Sequence, residues 1–253
     1  MIAYPASCLL LNSTINGLIQ LIMIRYGKSL YKDTDVYKLL RFGNRADWLK
    51  GRLTGIGGSD ASAAISHNRW KSARDLWAIK TGREQQEDIS DRPVVRYGTD
   101  MEHVLRESFA IKHRDQYSVE YMKDVTLQNN AKPFMLYSPD GLLVEKKTGR
   151  HGILEIKTHQ VSRNSGWKDW DGKIGMDEYF IQVLHGLNVT GFDFVEMIVE
   201  LRSTMEYQQI RTYHIDRADE GIEDTLQYID HGVTDFWNNY ILTDTEPPVI
   251  KYL

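Results

Sequence analysis

Residues 136–157 constrain this chain more than any other stretch, because they read as a β-hairpin folded around the turn sequence Lys146-Lys147-Thr148-Gly149-Arg150. Successive side chains on a strand point to opposite faces, so Glu155 and Lys157 share one face while Leu154 and Ile156 take the other. If Lys146 and His151 close the turn, counting back along both strands sets Asp140 opposite Lys157, on that same face. A slip of one residue would send Asp140 to the other side of the sheet.

Two carboxylates brought together repel unless a cation lies between them. Their oxygens suit a hard ion such as Mg²⁺, which keeps several waters and often meets substrate phosphates. Such an ion polarises a phosphoryl oxygen and lowers the pKa of a bound water, and an adjacent lysine can then orient or deprotonate that water. Those parts serve phosphodiester hydrolysis. The hairpin alone leaves a second reading open: Lys157 as a salt-bridge partner on an exposed sheet face, and Ser138-Pro139-Asp140-Gly141 as an ordinary turn.

The chain has 253 residues, enough for one large domain or two small ones, and its 42% hydrophobic and 26% charged residues are those of an ordinary globular protein. A net charge of -4 gives no global sign of a nucleic-acid partner, so any such reading rests on local basic residues. The single cysteine, Cys8, excludes an internal disulfide framework and a cysteine-built zinc or iron–sulfur site, as suits a reducing cytoplasm. Residues 8–24 are apolar but interrupted by Asn12, Asn16 and Gln20, with no positive charge before them. They make a poor signal peptide and too short a membrane span, and read as an extension or a packed helix, with Met23 an alternative start.

The rest of the chain shows no repeats or low-complexity linker. Helices are expected over 37–49, within 55–65 where a glycine-rich turn enters a helix with Ser59 or Asp60 as cap, over 72–82 capped by Ser72, over 98–113, and over 177–190 stopped by Gly191. Residues 82–98 read as a polar surface loop and 117–127 as one strand. Two runs of period two, 194–201 and 208–215, form a strand pair. Ile222, Leu226, Ile229, Val233, Phe236 and Tyr240 line the buried stripe of a last long helix. The sum is an α/β (α+β) fold, a mixed central sheet flanked by helices.

Pro139-Asp140 followed by Glu155-Ile156-Lys157 resembles the PD-(D/E)xK nuclease signature. With three further motifs in order, the chain is similar to the YqaJ-like viral recombinases and the phage lambda-type exonucleases over roughly residues 48–191. In "WLKGRLTGIGGSDASAAI" the resemblance matches Arg52 and Ser59 to positions that bind the 5′ phosphate at a DNA end; a helix cap and a surface arginine is the rival reading. In "YGTDMEHVLRESFA" it matches Glu102 to the metal site, although Thr99 and Glu102 also have capping-box spacing. In "YFIQVLHGLNVTG" it matches Gln182 to a residue that assists the lysine, the water or a phosphate oxygen. Many members carry a second glutamine where this chain has Leu184. Tyr179 lies on the same helix, and His185 reads better as a structural histidine.

The resemblance implies a restriction-endonuclease-like fold, with residues 1–35 an extension and 36–253 a single nuclease domain. It implies Asp140, Glu155 and the Ile156 carbonyl as ligands of Mg²⁺ or Mn²⁺, extended by Glu102, with Lys157 and Gln182 on the water. The implied activity is 5′ to 3′ resection of double-stranded DNA ends in a bacterial host cytoplasm, with a single-strand annealing protein as partner and a trimer as assembly. An endonuclease of the same fold and a non-catalytic DNA-binding recombination protein are the alternatives. Two basic and aromatic stretches, 67–77 and 159–173, suit nucleic acid as well as they suit packed helices or an interface.

Overall fold

The computed structural model describes residues 29–161, 164–203 and 208–249; the apolar segment 8–24 and Arg163 of the second basic stretch lie outside the described residues. Its centre is a five-stranded sheet of β2 (Tyr117–Glu120), β5 (Gly141–Glu145), β6 (His151–Val161), β7 (Phe194–Ser203) and β8 (Gln208–Asp216), in that spatial order. β6 and β7 run parallel and every other pair is antiparallel. The parallel pair needs a crossover, which α5 (Asp177–Thr190) supplies before it stops at Gly191, whose φ of 69° takes the left-handed region. A second, three-stranded sheet joins β1 (Tyr37–Arg41), β3 (Val125–Asn129) and β4 (Leu136–Tyr137).

Each face of the large sheet buries its apolar residues against different helices. Leu154, Ile156, Phe194 and Ile198 face α4 (Pro93–Lys112) through Leu105 and Phe109. On the opposite face Ile153, Val195, Met197 and Val199 meet α5 through Val183, Leu184 and Leu187. The stripe Ile222, Leu226, Ile229, Val233 and Phe236 of α6 (Ile222–Phe236) is buried in the same core, and Tyr240 packs on it from a following π turn, Trp237–Ile241. The helix capped by Ser72 is α3 (Ala73–Lys80), with a complete capping box to Asp75.

Several expectations are corrected. Residues 37–41 form β1, paired with β3 from Tyr37↔Asn129 to Arg41↔Val125, and the helix begins only at α1 (Arg45–Leu53), capped by Asn44. Five residues are too few for periodicity to separate strand from helix, and the ladder decides. The expected strand 117–127 is two, β2 and β3, in different sheets, because Asp124 turns the chain with a φ of 54°. α4 starts at Pro93, inside the expected loop, which leaves Thr99 in the helix interior with its hydroxyl donating to the Val95 carbonyl at 3.1 Å. Thr99 therefore caps nothing. α2 (Gly58–Ala64) has Gly57 at its cap position and no side-chain cap, so neither Ser59 nor Asp60 plays that part.

His185 is structural, as expected. It is fully buried, with Nε2 3.1 Å from the Ile56 carbonyl and 3.2 Å from that of Leu136, so it donates there as a neutral imidazole. Burial outweighs those acceptors and lowers its pKa from 6.5 to about 4. As pH falls, the unfolded chain takes this proton first, so the stabilisation is complete above about 6.5 and is lost towards pH 4. Urea unfolding should show His185→Gln falling less than the wild type between pH 7.5 and 4.5, by about 3 kcal/mol.

Candidate active site

A cleft of about 970 Å³ opens where β5 begins, lined by Arg52, Ser59, Glu102, Asp140, Glu155, Lys157 and Gln182 among others. The hairpin register differs from expectation by two residues: Val144 pairs with His151 and Gly141 with Leu154. An even shift preserves the face, and the same count sets Asp140, one residue before β5, beside Glu155 rather than Lys157. The ladder ends there, and the Asp140 carboxylate takes its place by accepting the Ile156 N–H at 2.7 Å.

Glu155 is 1% exposed and takes three donors. Lys157 Nζ and Gln182 Nε2, the latter at 2.5 Å, both reach Oε1, while the Tyr137 hydroxyl reaches Oε2 at 2.5 Å. Burial works against the Lys157 ammonium, but Glu155 and Asp140 outweigh it and raise its pKa, so Lys157 stays charged. Asp140 is pushed well above the usual carboxylate range by its burial, then by Glu155 and Glu102, against the pull of Lys157 and the Ile156 N–H. The Tyr179 ring lies 5.5 Å from the Lys157 ammonium.

The facing wall comes from α4. Arg106, 6% exposed, reaches Glu102 Oε1 at 3.3 Å and the Asp140 carbonyl at 3.3 Å, and stacks 3.6 Å over the Tyr121 ring. Burial raises the pKa of Glu102, with Arg106 and Lys157 opposing it. At the far side Arg52 Nη2 donates to Ser59 Oγ at 2.5 Å, and Trp48 lies between Arg45 and Arg52, 4.6 and 4.8 Å from their guanidinium carbons. Behind this turn Asp60 is buried and bonded to Lys80 at 2.8 Å and Lys71 at 3.3 Å. Burial raises its pKa, but Lys80, Lys71 and Arg52 outweigh that and hold it well below the ordinary range. Lys80 also donates to the Arg52 carbonyl at 2.8 Å.

The cleft thus brings together Arg52, Ser59, Glu102, Asp140, Glu155, Lys157 and Gln182, with Tyr137 and Arg106 added to its lining and the Asp60–Lys80 pair behind it. The basic stretch 67–77 is largely committed elsewhere: Arg69 bonds Glu178 at 2.9 Å, Arg74 pairs with Glu246, and Trp77 is buried. Among the described residues no three His, Cys, Asp or Glu side chains meet at one point. The donor chemistry still fits Mg²⁺, which is commonly held by one or two carboxylates, carbonyls and water. Asp140 carries an excess of negative neighbours that a divalent cation would relieve. No helix among the described residues is long and apolar enough to cross a membrane.

Residues 47–193 match the YqaJ-like viral recombinase domain. The chain is 28% identical over 204 residues to protein YqaJ of Bacillus subtilis (strain 168), covering 81% of this chain and 59% of that protein, so it spans about three fifths of that relative's length. Its fold is similar to an alkaline exonuclease (LHK-Exo) from Laribacter hongkongensis, with a TM-score of 0.56 at 16% identity over 79% of this chain and 94% of that one. The same enzyme in complex with dAMP gives 0.55 at 18% identity, with the same coverage.

The Asp60–Lys80 pair generates a stability prediction. Lys80→Met leaves the buried Asp60 carboxylate with Lys71 as its remaining ion-pair partner and should cost about 3 kcal/mol in chemical unfolding. Adding Asp60→Leu should restore much of that loss, because the under-compensated buried charge is then gone.

Proposed function

Because this chain belongs to the YqaJ-like viral recombinase family, we propose that its cleft hydrolyses DNA phosphodiesters from 5′ ends of double-stranded DNA. The observation that carries this reading is the convergence of Asp140, Glu155, Lys157 and Gln182 on one wall of the cleft, with Arg52 and Ser59 on another. Asp140, Glu155 and the Ile156 carbonyl would hold Mg²⁺ or Mn²⁺, with Glu102 extending the shell. When bound, the ion polarises a phosphoryl oxygen and acidifies water. Lys157, held against Glu155 beside the ion's site, orients the attacking water. Gln182 shares the same Glu155 oxygen and steadies that arrangement. Arg52 offers a planar fork of donors to a terminal phosphate, with Ser59 beside it in the first turn of α2.

Five basic residues line the cleft (Arg45, Arg52, Arg106, Lys123, Lys157) against five acidic ones (Glu102, Glu107, Asp124, Asp140, Glu155). A divalent cation tips that balance towards a polyanion. The reading includes the bacterial cytoplasm as its place of action, a trimeric assembly and a single-strand annealing partner.

Purified protein with Mg²⁺ should degrade 5′-phosphorylated linear duplex and spare closed circles, and EDTA should abolish the activity. Lys157→Ala should lower the rate about 100-fold or more. Cutting of closed circles would replace the exonuclease by an endonuclease, and salt-sensitive DNA binding without any cleavage would replace both by a binding protein.

A further inference from the structure

Tyr137 has no part in the reaction itself, but it bonds Glu155 and its ring lies against Gly58 and Gly186. It ends β4, is 1% exposed, and donates its hydroxyl to Glu155 Oε2 at 2.5 Å. Its ring fills the space between two glycines. A Cβ on Gly58 would stand 2.9 Å from ring atom Cε2, and one on Gly186 would stand 2.6 Å from Cζ. Neither position has room for a larger residue while the ring stays where it is. Gly58 begins α2, immediately before Ser59, and Gly186 lies one helical turn after Gln182 on α5. Main-chain bonds fasten the same junction: Leu136 N–H donates to the Ile56 carbonyl at 2.9 Å, and Ile56 N–H donates to Phe134 at 2.6 Å.

We propose that Tyr137 is a positioning residue: its hydroxyl fixes the plane of the Glu155 carboxylate, and its ring sets the Ser59 turn and the Gln182 helix in register with that carboxylate. This rests on the hydrolase reading. The terminal torsion of a glutamate is broad and roughly two-fold, so a carboxylate anchored through one oxygen still swings. Lys157 and Gln182 both bind Oε1, which leaves Tyr137 to hold Oε2. Groups that orient a metal-binding carboxylate typically matter by about 10- to 100-fold in metal affinity or activity.

Tyr137→Phe separates the two halves of the proposal, since it removes the hydroxyl and keeps the wedge. Mn²⁺ binding followed by electron paramagnetic resonance without DNA should weaken about 10-fold. At saturating DNA, kcat should fall by a similar factor with KM unchanged, while the preference for 5′-phosphorylated over 5′-hydroxyl ends stays at the wild-type ratio. Equal Mn²⁺ affinity and equal kcat, beside an active wild type, would overturn the positioning role alone. Loss of the 5′-phosphate preference in step with kcat would also overturn it, by showing a general loosening of the fold. A wild type that neither binds Mn²⁺ nor cuts DNA would overturn the hydrolase reading and this role with it.

Discussion

The hydrogen bond from the Ile156 N–H to the Asp140 carboxylate is the contact on which the cleft depends. β6 runs on past the point where β5 begins, and a side chain takes over from the missing strand. That substitution satisfies a main-chain donor that would otherwise be left over, and it holds an acid against a second buried acid. Two carboxylates held close repel, so both stay ionised only with compensating charge. Lys157 provides that compensation, and Gln182 and Tyr137 complete the donor set around Glu155.

The sheet divides the labour between its faces. Glu155 and Lys157 project towards the α5 side, where Gln182 waits; α4 packs on the other side and brings Glu102 and Arg106 around the strand ends. This works because β5 is short at that end and β2 stops at Glu120, so Tyr121 and its neighbours line an opening rather than continue the ladder. The early termination of two strands is therefore what lets helices on opposite faces contribute to one cleft.

Much of this was legible in the sequence, and the reasons for the rest are local. The Asp140–Glu155–Lys157 face survived a wrong register because the error was even, so parity protected the inference. The α5 and α6 helices were legible because their apolar stripes are long and end on clear signals, such as Gly191. β1 was not, because Leu39 and Leu40 between charged neighbours suit a helix as well as a strand, and its pairing partner β3 lies more than 80 residues away. Thr99 and Glu102 had the spacing of a cap, but Pro93 had already begun the helix. Tyr137 and Lys80 gave no signal because their partners are 18 and 28 residues distant, and Arg106 gave none because an arginine four residues after a glutamate reads as an ordinary surface pair on a helix.

The pair behind the Arg52–Ser59 turn bears on how the protein behaves in salt. Lys80 and Asp60 are both nearly excluded from solvent, with side chains 3% and 7% exposed. Mobile ions screen exposed charges within about 10 Å at 0.1 M, but they do not enter such a site. Rising ionic strength therefore screens the exposed charges of the cleft rim while the scaffold beneath Arg52 keeps its shape, so the polyanion proposed to bind there would be released by salt without loss of the site that held it.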